Sequence, residues 1–171
     1  MSSEVLTHRP TLPPASEAGL AIFVIALLTI GGAWIFQSMG YLPCDLCYEQ
    51  RYAYYIGLPL AALATVVGRS TPKLAVLLFL ALAVVFAVNV ALAAYHSGVE
   101  MKLWQGPTAC SGSAVGADGG DLLSAIDKVK VVRCDDVGLR VFGLTLANWN
   151  VFISAALAAL ALIGGRRALR A

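Results

Sequence analysis

The sequence predicts an all-α integral membrane protein, built as a four-helix bundle. Hydrophobic residues make up 59% of the 171 positions and charged residues only 13%, a composition far more apolar than that of an average soluble domain. Four apolar segments approach the ~20 residues that a membrane-spanning helix needs. The chain is predicted to form one membrane domain over residues 1–171, without a separate soluble domain. The net charge of +2 comes without a basic run, so no nucleic-acid partner is expected.

The predicted spans are residues 19–37, 52–68, 74–95 and 144–163, and the loops at 38–51 and 96–143 lie on one side of the membrane. Pro59 in the second span is compatible with a bundle, because neighbouring helices can satisfy the carbonyl that a proline leaves free. In the second loop an apolar stripe with helical spacing predicts a short interfacial helix, although a packed lid helix would have the same spacing. This stripe consists of Leu122, Leu123, Ile126, Val129 and Val132.

The uneven placement of lysine and arginine predicts the orientation. Three short segments on one side are basic, whereas the other side mixes its cations with most of the acidic residues. By the positive-inside rule, both termini are predicted to be cytoplasmic and both cysteine-containing loops to lie outside. No small-x-small cleavage motif follows the first span, which is therefore expected to remain uncleaved. The cytoplasmic cations are Arg9, Arg69, Lys73, Arg166, Arg167 and Arg170.

The four cysteines predict disulfide chemistry on the oxidising side of the membrane. Cys44 and Cys47 lie in the first loop, and Cys110 and Cys134 lie in the second. A bridge between Cys110 and Cys134 could be a structural clamp, since closing a loop of ~25 residues stabilises by about 3 kcal/mol. A Cys-x-x-Cys bridge constrains almost nothing, which favours a labile, redox-active role for the first pair. A zinc site is disfavoured because the second pair is widely separated, and no metal is predicted.

Arg51 lies one helical turn after Cys47, on the same face if the helix begins near Cys44. The helix N-terminus and Arg51 would both favour a thiolate at Cys47, but Arg51 could instead be an anchor that reaches the lipid headgroups. His96, at the outer end of the third span, is predicted at the level of Arg51, either as an interfacial residue or in contact with a cofactor. Three asparagines in the third and fourth spans are predicted to form hydrogen bonds between helices; these are Asn89, Asn148 and Asn150.

Five short motifs follow one another along the chain. They are Cys44-x-Leu46-Cys47-x-x-Gln50-Arg51, Tyr95-His96-x-Gly98-Val99-Glu100, Trp104-x-Gly106-Pro107-x-x-Cys110, Cys134-Asp135 and Gly143-Leu144-x-Leu146-Ala147-x-Trp149-Asn150. In residues and in order, these motifs resemble the disulfide bond formation protein B (DsbB) family. The resemblance extends from the first predicted span to the fourth. It implies a protein-disulfide:quinone oxidoreductase of the bacterial inner membrane, with its cysteine loops in the periplasm.

The resemblance also implies an electron relay. Cys110 would form a mixed disulfide with a periplasmic thioredoxin-fold thiol oxidase, and Cys134 would pass the electrons to Cys44. Cys47 would react with a membrane quinone, ubiquinone or menaquinone, whose oxygen Arg51 would polarise with His96 nearby. Two alternatives stay open: a quinone reductase similar to vitamin K epoxide reductase, and a non-catalytic membrane scaffold clamped by disulfides.

Overall fold

Four long helices and one small hairpin make up the described part of the chain. The computed structural model describes residues 14–68, 70–107, 133–135 and 139–170. Cys110, Arg9, Arg69 and the apolar stripe of the predicted interfacial helix lie outside these ranges. The elements are α1 (Pro14–Ser38), α2 (Asp45–Val67), α3 (Pro72–Glu100), β1 (Arg140–Val141), β2 (Leu144–Thr145) and α4 (Leu146–Leu169).

Side chains cap the two helices that follow the cysteine-containing loops. Cys44 is the N-cap of α2, and its sulfur accepts a hydrogen bond from the Cys47 backbone N–H at 3.4 Å. Thr145 caps α4 in the same way and accepts from the Asn148 backbone N–H at 3.2 Å. Such caps satisfy backbone donors that have no partner within the helix. They therefore define where α2 and α4 begin.

The hairpin before α4 turns at Phe142 and Gly143, whose φ angles are 51° and 82°. A positive φ costs little at glycine and more at phenylalanine. Arg140 pairs with Thr145 in an antiparallel register, so the hairpin leads the chain directly into the α4 cap. The predicted fourth span began at residue 144, but the structure places β2 there and begins α4 at Leu146.

Three of the described helices, α1, α3 and α4, are long and apolar enough to cross a membrane. This finding confirms the prediction of an all-helical, multi-pass membrane protein. α2 is not in this group, and its first seven residues include the charged Asp45, Glu49 and Arg51. The fourth span therefore stays a prediction. α2 also begins at Asp45 rather than at residue 52, so part of the predicted first outer loop is helical.

Neighbouring helices pack against one another in the order α1, α2, α3 and α4, and α4 closes the ring against α1. Small residues allow the helices to approach closely, as is common in membrane bundles. A Cβ atom added to Gly57 would lie 2.7 Å from the Phe86 ring, and one added to Gly164 would lie 2.5 Å from the Phe79 ring. Large apolar side chains such as Leu28 and Val66 point outwards instead, with 70% and 73% of their surface exposed, as expected where lipid replaces water.

Candidate redox site

Three of the four cysteines lie at one site, at the end of the bundle where α2 begins and α3 ends. Cys44 and Cys134 are buried, with 6% and 2% of their surface exposed, and they form one cluster with Leu46 and Val99. Cys47 packs against this cluster. The structure thus brings a cysteine of the second loop next to the Cys-x-x-Cys pair.

The two residues that flank Cys134 form an exposed ion pair. Arg133 donates two hydrogen bonds of 2.9 Å to the Asp135 carboxylate, and the guanidinium lowers the pKa of that carboxyl. This ion pair is solvent-exposed and adds little stability. Cys134 lies between the two charged residues and turns towards the bundle.

The thiols of Cys44 and Cys47 differ in pKa because of their contact at the start of α2. Their sulfur atoms lie 2.9 Å apart, and the two side chains share a hydrogen bond. This bond lowers the pKa of the Cys47 thiol, although burial opposes the shift. The same bond, together with burial, raises the pKa of the Cys44 thiol. The hydrogen bond therefore favours Cys44 as the thiol donor and Cys47 as the thiolate, which is the reactive form of a cysteine.

Arg51 points away from the thiol pair and towards α1. Only 9% of its surface is exposed, and its Nη1 donates to the Gln37 Oε1 at 2.6 Å. The guanidinium carbon lies 5.1 Å from the centre of the Tyr48 ring, a cation–π distance. The shift at Cys47 has its main cause in Cys44, so a contribution of Arg51 to the thiolate stays a prediction.

Arg51 lies in a pocket between α1 and α2, which we call the aromatic groove. Its volume is about 590 Å³. Trp34 donates from its indole nitrogen to the Tyr55 hydroxyl at 3.2 Å across the groove, and the exposed rings leave it open to the outside of the bundle. The sequence singled out only Arg51 here, because α1 and α2 supply the other residues from two separate segments. The groove is lined by Trp34, Gln37, Ser38, Tyr48, Arg51 and Tyr55.

His96 contacts the thiol pair and not the aromatic groove. It is 3% exposed, and its Nε2 lies 3.6 Å from the Cys44 sulfur. Its Nδ1 lies 2.8 Å from the Gln50 Nε2. One ligand atom from each of Cys44, Cys47 and His96 lies within 4.8 Å of the others, close enough to share a metal ion, although the sequence predicted none.

Two of the three predicted interhelical asparagines form such bonds. Asn150 of α4 donates to the Gln50 Oε1 of α2 at 2.5 Å, and Asn89 of α3 donates to the Ser154 Oγ of α4 at 2.9 Å. Asn148 instead contributes its backbone N–H to the Thr145 cap. The sequence did not identify Gln50 as the partner of His96; the only available signal was its position three residues after Cys47.

A family model described as "Disulfide bond formation protein DsbB" matches residues 15–164, most of the chain. The matched region contains α2, α3 and the hairpin completely and nearly all of α1. It also includes every residue placed above in the thiol cluster and in the aromatic groove. Comparison with curated proteins and with solved structures finds no match to the chain.

Proposed function

The chain belongs to the DsbB family, and from this premise we propose that it reoxidises a periplasmic thioredoxin-fold thiol oxidase by relaying electrons through two disulfides to a membrane quinone. Family membership makes it a membrane oxidoreductase of disulfide bond formation. The observation that carries the finer proposal is the burial of Cys134 in one cluster with Cys44, next to Cys47. A structural clamp between Cys110 and Cys134 alone does not need this proximity.

The proximity supports electron transfer by thiol–disulfide exchange. In the proposed step, the Cys134 thiolate attacks the Cys44 sulfur of a Cys44–Cys47 disulfide. A Cys134–Cys44 bond forms, the Cys44–Cys47 bond breaks, and Cys47 leaves as a thiolate with the electron pair. Attack at Cys44 is favoured because Cys134 and Cys44 lie in one buried cluster.

Exchange with the oxidase precedes this step. An oxidase thiolate attacks the Cys110–Cys134 disulfide at Cys110, which releases Cys134 as the thiolate that continues the relay. The second oxidase thiol then attacks the mixed disulfide, and the oxidase leaves in its disulfide form. The released Cys110 attacks the Cys134–Cys44 bond, so that Cys110 and Cys134 are again oxidised while Cys44 and Cys47 are left as a reduced pair.

We infer that the quinone ring binds in the aromatic groove. Re-forming the Cys44–Cys47 disulfide releases two electrons and two protons, which a membrane quinone would take up as hydroquinone. A guanidinium has five N–H donors, so the bond from Arg51 to Gln37 leaves others for a quinone oxygen. Trp34, Tyr48 and Tyr55 offer flat surfaces for the ring, as is typical of largely apolar ligand sites with few polar groups.

The proposal includes one orientation of a single membrane domain in the bacterial inner membrane. Both termini are cytoplasmic, the cysteine loops are periplasmic, and α2 is the fourth span despite its charged first turns. Those turns lie at the thiol cluster, where the membrane ends. A polar helix start at that depth is compatible with spanning, because interfacial residues need not enter the hydrocarbon core.

A coupled assay tests the relay. The protein is purified in detergent and mixed with a short-chain quinone and a reduced thioredoxin-fold oxidase, and quinone absorbance and free thiols are followed together. We expect one quinone consumed for every two oxidase thiols lost. Thiol loss without quinone consumption would contradict the proposal, and the absence of both changes would contradict it and favour the disulfide-clamped scaffold.

A further inference from the structure

A chain of buried hydrogen bonds leads from the Cys44 sulfur into the bundle. His96 contacts Cys44, Gln50 contacts His96, and Asn150 contacts Gln50. Buried polar groups in an apolar surrounding are costly unless they are paired, and paired networks hold their members in fixed orientations. The series of hydrogen bonds continues through Tyr54, Ser154 and Asn89.

Gln50 has only one acceptable amide orientation. Its Nε2 lies 3.1 Å from the Leu46 carbonyl oxygen, which can only accept a hydrogen bond. A flipped amide would place two oxygen atoms against each other. In the observed orientation the Gln50 Oε1 accepts from the Asn150 Nδ2, so α4 holds the amide as well. The Gln50 nitrogen is therefore a donor towards His96.

This orientation decides which nitrogen of His96 carries the proton. Because Gln50 donates, the His96 Nδ1 at 2.8 Å must accept. A neutral imidazole has one donor and one acceptor nitrogen, so its proton is on Nε2, the nitrogen 3.6 Å from the Cys44 sulfur. The Glu100 Oε1 lies on the same side at 3.9 Å, and its negative charge also favours a proton there.

The same assignment argues against metal binding. Coordination through Nε2 needs a lone pair on that nitrogen and a proton on Nδ1, facing the Gln50 donor. Gln50 would then have to give up its bonds to Leu46 and Asn150. The cluster of Cys44, Cys47 and His96 is thus arranged for hydrogen bonding to sulfur.

We propose that Gln50 is a positioning residue, which, held by Asn150, fixes His96 as an N–H donor to the Cys44 sulfur. This donor stabilises negative charge on Cys44 whenever the sulfur is released from a disulfide with Cys47 or Cys134. The Cys47 backbone N–H, at 3.4 Å, is a second donor to the same atom. The point in the reaction cycle at which Cys44 is released rests on the proposed function. The position of the proton on the His96 ring does not depend on it.

The ionisable groups around this donor come from three parts of the chain. The start of α2 contributes Cys44 and Cys47, and α3 contributes Glu100. The segment 133–135 contributes Cys134, whose thiol acts on Cys47 and whose backbone bonds to the His96 ring. Asn150, which α4 contributes to the hydrogen-bond series, does not ionise. A pH profile of Cys44 must therefore be recorded with the other three thiols removed.

Nitrogen NMR of the histidine ring tests the proton position directly. The chain has two histidines, so His8→Gln in the full-length protein leaves the ¹⁵N signals of His96 alone. We expect a ring protonated on Nε2 in the parent. Gln50→Glu keeps the volume but turns the donor into an acceptor, and we expect Nδ1 to become protonated. A parent ring protonated on Nδ1, or identical ring signals in parent and Gln50→Glu, would overturn the proposal.

Alkylation of Cys44 tests the consequence for sulfur. In a background with Cys47, Cys110 and Cys134 replaced by serine, the alkylation rate is recorded against pH. We expect Gln50→Met and Asn150→Ala to slow alkylation of Cys44 about tenfold at fixed pH below the thiol pKa, which corresponds to about 1.4 kcal/mol. Asn148→Ala, two residues away on α4, is the matched control and should leave the profile unchanged.

Unchanged alkylation profiles in Gln50→Met and Asn150→Ala would show that these hydrogen bonds have only a structural role. Equal slowing in Asn148→Ala would point to a general disturbance of α4 and would also count against the proposal. Neither experiment contains quinone or oxidase. A failure of the relay assay would therefore leave both results interpretable, and the two proposals can fail separately.

Discussion

The protonation difference within the Cys-x-x-Cys pair gives the most direct prediction. If the Cys44 donor stabilises the Cys47 thiolate across the 2.9 Å sulfur contact, then Cys44→Ala should raise the pKa of Cys47. A hydrogen bond to a charged group contributes about 1.5–3 kcal/mol. At about 1.4 kcal/mol for each tenfold, this corresponds to a thiolate fraction about tenfold to a hundredfold lower on the acidic side of the titration. Cys44→Ser keeps an O–H donor and should retain much of the effect.

The assay is the alkylation rate of Cys47 against pH, with Cys110 and Cys134 replaced by serine. The whole profile is fitted, because the intrinsic nucleophilicity of a thiolate rises with its pKa and partly compensates for a lower thiolate fraction. The pKa of Cys47 is lowered in the folded protein, so thiolate reactivity should persist to lower pH than in an unperturbed cysteine and be lost as the pH falls through the folded-state value. Superimposable profiles for Cys44→Ala and Cys44→Ser would refute the reasoning.

Three further predictions address the groove, the relay and the bundle. Arg51→Ala should raise the quinone KM about a hundredfold, since two charge-assisted hydrogen bonds are worth on the order of 3 kcal/mol. Arg51→Lys should restore only part of the lost affinity, and wild-type quinone kinetics in Arg51→Ala would show that Arg51 is only a headgroup anchor. Cys110→Ser should abolish oxidation of the partner oxidase but leave Cys47 reactive towards quinone, and full turnover with the oxidase would contradict the relay. Gly57→Ala should lower the thermal unfolding midpoint in detergent, because its Cβ would meet the Phe86 ring at 2.7 Å, whereas Gly31→Ala, with open space around it, should not; equal midpoints would show that the contact is not tight.

The sequence predicted the class of fold because composition and span length report directly on the membrane environment. It predicted the thiol pair for a similar reason, since a Cys-x-x-Cys bridge has little structural use. It could not predict that Cys44 caps α2, because a helix start depends on which side chain reaches a free backbone N–H. Nor could it pair His96 with Gln50, because the two lie on different helices.

The prediction for Arg51 shows where helical periodicity alone stops. Spacing placed Cys47, Gln50 and Arg51 near one face of α2, and the helix indeed includes all three. The sequence could not tell which neighbouring helix each side chain would meet. Gln50 contacts His96 of α3, whereas Arg51 contacts Gln37 of α1. Adjacent positions on a helix differ by about 100° in direction, enough for two different packing partners.

This division of α2 has a consequence for how the site can work. The proposed disulfide exchange needs Cys44 near Cys134, at the end of the bundle, whereas the proposed quinone must enter from the membrane side. Cys47 lies between these two sites, because it is hydrogen-bonded to Cys44 and lies in the turn that precedes Arg51. Its two neighbours three and four residues along the helix then act in different directions: Gln50 orders the donors around Cys44, and Arg51 orders the groove against α1. The spacing of Cys47, Gln50 and Arg51 is therefore a mechanical requirement, since inserting one residue after Cys47 would turn both side chains by about 100° away from their partners.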